Sequence, residues 1–125
     1  MNDFDPGGEV SLDEIRRVLE AEILCGSEQL AQTVQRADAT DLMSQVLAFS
    51  RPGTVLLTGL TNIQVVNTAL VAELSGIIFV RGLRPAAEVV AKGANLSLPM
   101  LLTSRCMYRA CGLLYALGLP GLTSP

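Results

Sequence analysis

The chain has 125 residues, half of them apolar and only 4% aromatic, and its formal net charge is −3. This length fits one domain whose core is built from aliphatic side chains. No apolar run approaches the ~20 residues that a membrane-spanning helix needs. The acidic start of the chain also lacks the basic and apolar regions of a signal peptide. We therefore expect a cytoplasmic protein with no membrane partner.

Charged residues are unevenly divided along the chain. After residue 41 there are only two carboxylates, Glu73 and Glu88, but six of the nine basic residues, so the later part is locally positive. No basic cluster is interleaved with aromatic residues, and the chain as a whole is acidic. We predict no nucleic-acid partner.

The sequence contains no histidine, which excludes Ser–His, Cys–His and histidine-based metal sites. Cys25, Cys106 and Cys111 cannot all pair within one chain, and they suit a reducing compartment. We interpret them as buried thiols, with a metal or redox site as the alternative. We accordingly predict no metal and no cofactor.

The first half of the chain contains one strong helix signal. Ser11 with Glu14 three residues later is a capping-box pattern, followed by Ile15, Val18 and Leu19 on one helical face. The elements predicted in this half are, in order, a disordered tail at 1–10, a helix from Ser11, a short strand at 21–25, a strand of weaker alternation at 33–37, and a helix capped by Asp41 and ended by 51–53.

The second half alternates between strands and helices. Its predicted elements are a strand at 54–58, a helix from Asn62, a strand at 77–80, a short helix from Pro85 to Lys92, a strand at 98–102, and a helix from Ser104 to Leu117. Strands that are apolar on both faces are typical of a parallel sheet covered by helices on each side. Pro99 restricts the third strand to an edge of the sheet or places it at the strand start.

These elements predict an α/β fold, a three-layer α/β/α sandwich with a mostly parallel central sheet. The domain is predicted to span 11–119 and to be followed by a tail at 120–125.

Polar residues follow the carboxyl ends of the three apolar strands. Ligands of open parallel sheets bind at this edge, and hydroxyls, arginines and helix N-termini favour anions. We predict a site for an anion or a nucleotide phosphate there, called the carboxyl-edge site. Its residues are Thr58, Gly59, Thr61, Asn62, Arg81, Gly82, Arg84, Ser104 and Arg105. The alternative is an ordinary tight turn and helix cap with solvated arginines.

The last predicted helix is apolar around most of its circumference, and only Arg105 and Arg109 are charged in it. A helix of this kind is buried on more than one side. We predict a homodimer with this helix in the interface, where Tyr108 and Tyr115 are of a favoured residue type. The alternative is that the chain after Leu119 folds back over the helix.

Five stretches of the sequence resemble the DRTGG domain family. They are SLDEIRRVL at 11–19, ADATDLMSQVL at 37–47, VLLTGLT at 55–61, GIIFVRGLRP at 76–85 and MYRACGLLY at 107–115. The resemblance implies an α/β domain similar to the N-terminal domain of bacterial HPr kinase/phosphorylase. Such domains accompany CBS domains and phosphotransacetylases or stand alone in anaerobes, sometimes with iron-only hydrogenase systems, and they resemble regulatory and dimerising modules. Residues 61–62 stand where the Asp-Arg of the name-giving motif would be, and residues 80–82 stand where its Thr-Gly-Gly would be.

The residues and the resemblance together predict a regulatory or protein-interaction domain that is not an enzyme, because no activated nucleophile is recognisable. The alternative is a sensor that binds a phosphate or nucleotide at the carboxyl-edge site. An enzyme subunit that needs another chain is a third possibility.

Overall fold

The computed structural model describes residues 9–122. Its elements are β1 (Val10–Ser11), α1 (Leu12–Leu19), β2 (Glu22–Cys25), a 3-10 turn (Ser27–Gln29), β3 (Thr33–Val34), β4 (Arg36–Ala39), α2 (Met43–Phe49), β5 (Thr54–Thr58), α3 (Ile63–Val71), β6 (Gly76–Phe79), α4 (Ala87–Asn95), β7 (Met100–Leu102) and α5 (Met107–Ala116).

A five-stranded sheet in the order β2-β7-β6-β5-β4 forms the middle layer. Strands β4 to β7 are parallel to one another, and β2 runs antiparallel to β7. The three strands predicted at 54–58, 77–80 and 98–102 all lie in this sheet, which confirms that prediction. Because β7 lies between two neighbours, Pro99 marks a strand start and not an edge.

Helices cover both faces of the sheet, which confirms the three-layer fold. Along β5, Val55 and Leu57 pack with α1 and α5 in one core, whereas Leu56 packs with α2, α3 and α4 in the other. On β6, Ile78 and Phe79 divide between the same two cores. The continuous apolar run of each strand is explained by this two-sided burial.

The predicted capping box at the start of α1 is confirmed. The Glu14 backbone N–H donates to Ser11 Oγ at 3.0 Å, and the Ser11 N–H donates to Glu14 Oε1 at 2.9 Å. Ile15 and Leu19 of this helix are fully buried in the core with α5.

Two predicted helix caps are wrong. Asp41 does not cap α2, which begins at Met43, because its carboxylate bonds to the loop after β5 instead. Ser104 does not cap α5, which begins at Met107 with Cys106 at the cap position. Asn62 does stand at the cap position of α3, but its side chain makes no hydrogen bond to the first turn.

The segment predicted as one strand at 33–37 divides into two. Thr33–Val34 pairs with β1 in a separate small sheet, and Arg36–Ala39 forms an edge of the main sheet. Between them the Gln35 N–H donates to the Gly53 carbonyl at 2.8 Å. The weak alternation of this segment reflects two short strands with different surroundings.

Both ends of the described chain pack onto the domain. Val10, within the tail predicted at 1–10, is buried and pairs with Val34. Leu119 is also buried, and the Pro120 carbonyl accepts a hydrogen bond of 2.9 Å from the Ala37 N–H, so the chain after α5 runs beside β4. The remainder of the predicted tails, 1–8 and 123–125, lies outside the described residues.

Candidate functional site

The loops that hold the predicted carboxyl-edge site lie at one edge of the sheet. Strands β5, β6 and β7 are parallel neighbours, with Leu56 beside Ile77 and Ile78 beside Leu101. Their carboxyl ends are therefore adjacent, and the segments 58–62, 81–84 and 103–105 follow them directly. The fold brings the predicted site residues to a common edge of the sheet.

The loop after β5 is already engaged by a carboxylate of the same chain. The buried Thr58 hydroxyl donates to Asp41 Oδ1 at 2.8 Å, and the Gly59 N–H donates to the same oxygen at 2.8 Å. Thr58 Oγ1 also accepts a hydrogen bond of 3.1 Å from the Leu60 N–H. The Thr58 and Gly59 donors, which the sequence predicts to bind an anionic ligand, are therefore bound to the carboxylate of Asp41.

Asp41, which the sequence predicts as the cap of α2, is a further residue of this edge. It follows β4, which is also parallel to β5, so it stands at the same edge as Thr58. The sequence does contain a signal for this contact, because Asp41 comes shortly after a strand and could have been placed at the same edge as the predicted site residues. The signal was missed for two reasons. The strand before Asp41 alternates weakly, and an aspartate just before a helix is usually interpreted as a helix cap.

The loop after β6 has an unusual backbone. Arg81 and Gly82 both have positive φ angles, 61° and 68°. The Arg81 N–H donates to the Arg105 carbonyl at 2.8 Å and the Gly82 N–H donates to the Thr103 carbonyl at 2.9 Å, so this loop is tied to the loop after β7. A non-glycine residue in the left-handed region costs roughly 1–2 kcal/mol, and such strain is concentrated at functional sites.

Two of the three arginines at this edge have carboxylate partners. Arg84 forms two hydrogen bonds with Glu22, of 3.0 and 2.6 Å, and its guanidinium holds the pKa of the Glu22 carboxyl below its usual value. Arg105 Nη2 lies 3.4 Å from Glu20 Oε1, while its buried Nε has no hydrogen-bond partner. Within residues 9–122, Arg81 makes no ion pair, and its side chain is exposed.

Four helices begin at this edge, because α2, α3, α4 and α5 each follow a parallel strand. None of them has a side-chain hydrogen bond to its first turn in the described structure, whereas α1 has a complete capping box. Uncapped first turns leave backbone N–H groups and the positive end of the helix dipole directed at the edge. Asn62 is the cap residue of α3 and Thr61 precedes it, whereas Ser104 lies three residues before the start of α5.

The cysteines are free and only partly fit the prediction of buried thiols. Cys25 and Cys111 are half-buried, and burial raises the pKa of both thiols. Cys106 is exposed, because it precedes α5 at the surface instead of lying on the inward face of a longer helix, so for this residue the prediction is wrong.

The described residues contain no group of three or more acidic or cysteine side chains placed to hold a metal ion. Among the helices of the same residues, none has the length and apolarity required to cross a membrane.

The family comparison and the structural comparison agree. The model of the DRTGG domain matches residues 14–116. A solved structure of the CBS and DRTGG domains of the regulatory region of Clostridium perfringens pyrophosphatase, complexed with its activator diadenosine tetraphosphate, superposes with a TM-score of 0.72 at 18% sequence identity. The match covers 91% of this chain and 50% of that one, so this chain spans half the length of that structure, and at this identity the likeness establishes the fold. No curated protein matches the sequence. Because the family model covers most of its length, the chain belongs to the DRTGG domain family.

Proposed function

We propose that this DRTGG domain acts through binding, without catalysing a reaction, and that it does so as a homodimer held by the outer face of α5. The observation that carries the proposal is the exposure of two tyrosines on this helix. Tyr108 is 90% exposed and Tyr115 is 76% exposed. Tyrosine is enriched in the centres of protein interfaces, where its ring is buried and its hydroxyl finds a partner.

The two tyrosines share one face of α5 with a glycine between them. Tyr108, Gly112 and Tyr115 are spaced by four and three residues, so they lie on one side of the helix. A Cβ atom added at Gly112 would meet no other atom within 4 Å. Ala110 and Leu114 occupy the opposite side and are buried in the core with α1. The outer face therefore carries two exposed aromatic side chains with open space at Gly112 between them, which would let a second helix approach closely.

The chain after α5 leaves this face uncovered over the residues that the structure describes. Leu119 turns into the core, and Pro120 bonds to Ala37 at the sheet edge. This arrangement supports a partner chain over the alternative in which the tail folds back across the tyrosines.

Light scattering coupled to size exclusion at micromolar concentration tests the homodimer. We expect a dimer mass for the wild type and a monomer mass for the double variant Tyr108→Ser, Tyr115→Ser. Val71→Ser is the matched control, since Val71 is 74% exposed on α3, across the sheet from α5. A monomeric wild type, or a double variant that remains dimeric, contradicts the proposed interface. A substitution of Leu113 would not test the interface, because Leu113 packs against the core and its replacement would also destabilise the fold.

A second candidate function is that of a sensor for a phosphate or nucleotide at the carboxyl-edge site. The observation that favours it is that α3, α4 and α5 begin without a side-chain cap at the edge where Arg81 and Arg105 also lie. Helix N-termini and arginines both bind phosphate. The similar pyrophosphatase region was solved with a nucleotide activator, so nucleotides are the first compounds to test.

Titration calorimetry with ATP, diadenosine tetraphosphate and inorganic pyrophosphate tests the sensor. We expect binding that Arg81→Ala and Arg105→Ala both weaken. Arg51→Ala is the control, since Arg51 is exposed before β5, at the opposite edge of the sheet. Binding that neither edge variant changes would place the ligand elsewhere, and no binding of any compound would remove the sensor function.

We place the protein in the cytoplasm. Three free cysteines, one of them exposed, are compatible with a reducing compartment. Fractionation of cells that express a tagged chain tests this location, and recovery of the chain in an extracytoplasmic fraction would contradict it.

A further inference from the structure

One carboxylate oxygen of Asp41 receives both hydrogen bonds offered by the end of β5. The Thr58 hydroxyl and the Gly59 N–H each lie 2.8 Å from Asp41 Oδ1. A Cβ atom built at Gly59 would lie 3.7 Å from both Asp41 oxygens and 3.9 Å from Leu83 Cδ1. The carboxylate therefore lies across the start of the loop that joins β5 to α3.

The donors that hold the Asp41 carboxylate are of the same kind as those that hold a bound phosphate group. A hydroxyl and a backbone N–H just before a helix are donors that commonly hold a phosphate oxygen. The carboxylate supplies the same negatively charged acceptor from within the chain. It also repels a second anion, because two negative charges cannot share donors at close distance without a large electrostatic cost.

We propose that Asp41 is an internal competitor that occupies the β5 end of the carboxyl-edge site and must be displaced when a phosphate-bearing ligand binds. The inference rests on the proposed sensor function and adds a regulatory contact to it.

Displacement of this carboxylate needs little rearrangement. Asp41 is exposed and lies in the short connection between β4 and α2. Its neighbours are fixed independently of its side chain, since the Thr40 N–H donates to the Leu57 carbonyl at 3.1 Å and Thr40 Oγ1 accepts from the Leu42 N–H at 3.0 Å. Rotation of the Asp41 side chain alone is then sufficient to release Thr58 and Gly59.

Titration calorimetry of the full chain with ATP tests the inference. We expect Asp41→Ala to bind ATP about tenfold more tightly than the wild type, because the competing charge is removed while the donors remain. Glu73→Gln is the matched control, since it also removes one carboxylate but lies before β6, at the opposite edge of the sheet. It should bind ATP as the wild type does.

The outcomes separate this inference from the sensor function. If the wild type binds ATP, and Arg105→Ala weakens binding but Asp41→Ala leaves it unchanged or weaker, the competitor role is overturned and the sensor function stands. If neither the wild type nor Asp41→Ala binds ATP, both are overturned.

A second variant tests the same inference in case Asp41→Ala does not fold. Asp41→Asn keeps an acceptor oxygen for Thr58 and Gly59 but removes the charge, and we expect it too to bind ATP more tightly than the wild type. Hydrogen exchange of the Gly59 amide gives an independent readout. Exchange should be faster in ligand-free Asp41→Ala than in the ligand-free wild type, and unchanged exchange would contradict the contact itself.

Discussion

Arg84 and Glu22 join the loop after β6 to the edge strand β2 through hydrogen bonds of 3.0 Å (Nη1 to Oε2) and 2.6 Å (Nη2 to Oε1). Because β2 is antiparallel to β7, its first residue, Glu22, pairs with the last residue of β7, Leu102. A carboxylate from β2 is thereby brought to the edge where the parallel strands end. The ion pair fixes Arg84 at that edge and neutralises part of its positive charge.

The Glu22–Arg84 pair should make a small, pH-dependent contribution to stability. Arg84 lowers the pKa of Glu22 below its ordinary value of 4.5, so the contribution is present above that value and is lost as the pH falls through the lowered pKa. Both side chains are exposed, so the effect is small. We expect Glu22→Gln to lower the thermal midpoint slightly at neutral pH and to match the wild type well below pH 4.5. A difference that persists in acid would show that the pair is not its cause.

Gly26 is the glycine at which an added methyl group should be most damaging. Its φ is +88°, and an added Cβ would lie 2.7 Å from the Pro99 Cα and 2.9 Å from the Pro99 Cβ. Gly82 is the matched control, because its φ is +68° but nothing lies within 4 Å of an added Cβ. We expect Gly82→Ala to cost roughly 1–2 kcal/mol from the backbone angle. Gly26→Ala should cost about 1–3 kcal/mol more from overpacking. Urea unfolding measures both, and equal losses would contradict the close approach to Pro99.

The strands of the central sheet were predictable from the sequence for a physical reason. A strand buried on both faces can be apolar at consecutive positions, and residues 55–57 and 77–80 have that property. The edge strand β4 lacks it, because its four residues are all half-buried and include Arg36 and Asp38. A strand of this kind has no strong pattern, which is why the segment 33–37 was predicted as one element and its division was missed.

The placement of the candidate site residues at one edge of the sheet was predictable, but their contacts were not. The rule that parallel strands end at one edge placed Thr58 and Arg81 together without any structure. The partners of these residues come from segments distant in sequence, such as Asp41 and Glu22, whose contacts depend on strand order and on the antiparallel direction of β2. Single-sequence patterns contain no information about that order.

Thr103 is a buried hydroxyl that links α1 to the site. Its Oγ1 donates to the Leu19 carbonyl at 2.8 Å and accepts from the Arg105 N–H at 3.2 Å. Thr103→Val keeps the shape of the side chain but leaves the Leu19 carbonyl and the Arg105 N–H without this partner, so we expect a loss of about 1–3 kcal/mol in the free energy of unfolding. Thr103→Ser is the control, since it keeps a hydroxyl at this buried position and removes only the methyl group. A loss no larger than that of the control, measured by urea unfolding, would refute the role of the hydroxyl.

Cys106 should react with thiol reagents much faster than the other two cysteines. It is exposed at the start of α5, whereas Cys25 and Cys111 are half-buried. Burial raises the pKa of the Cys25 and Cys111 thiols, so at neutral pH a smaller fraction of each is the reactive thiolate. The Cys25 thiol also donates to the Leu98 carbonyl at 3.2 Å, which restricts it further.

Labelling of the native chain with a chromogenic disulfide reagent measures these rates. We expect one fast thiol per native chain and three after denaturation. Cys106→Ser should abolish the fast phase, and Cys111→Ser, the matched control within α5, should leave it intact. A fast phase that survives Cys106→Ser would mean that a half-buried thiol becomes accessible through local opening. That result would contradict the packing of either Cys25 or Cys111 against its core.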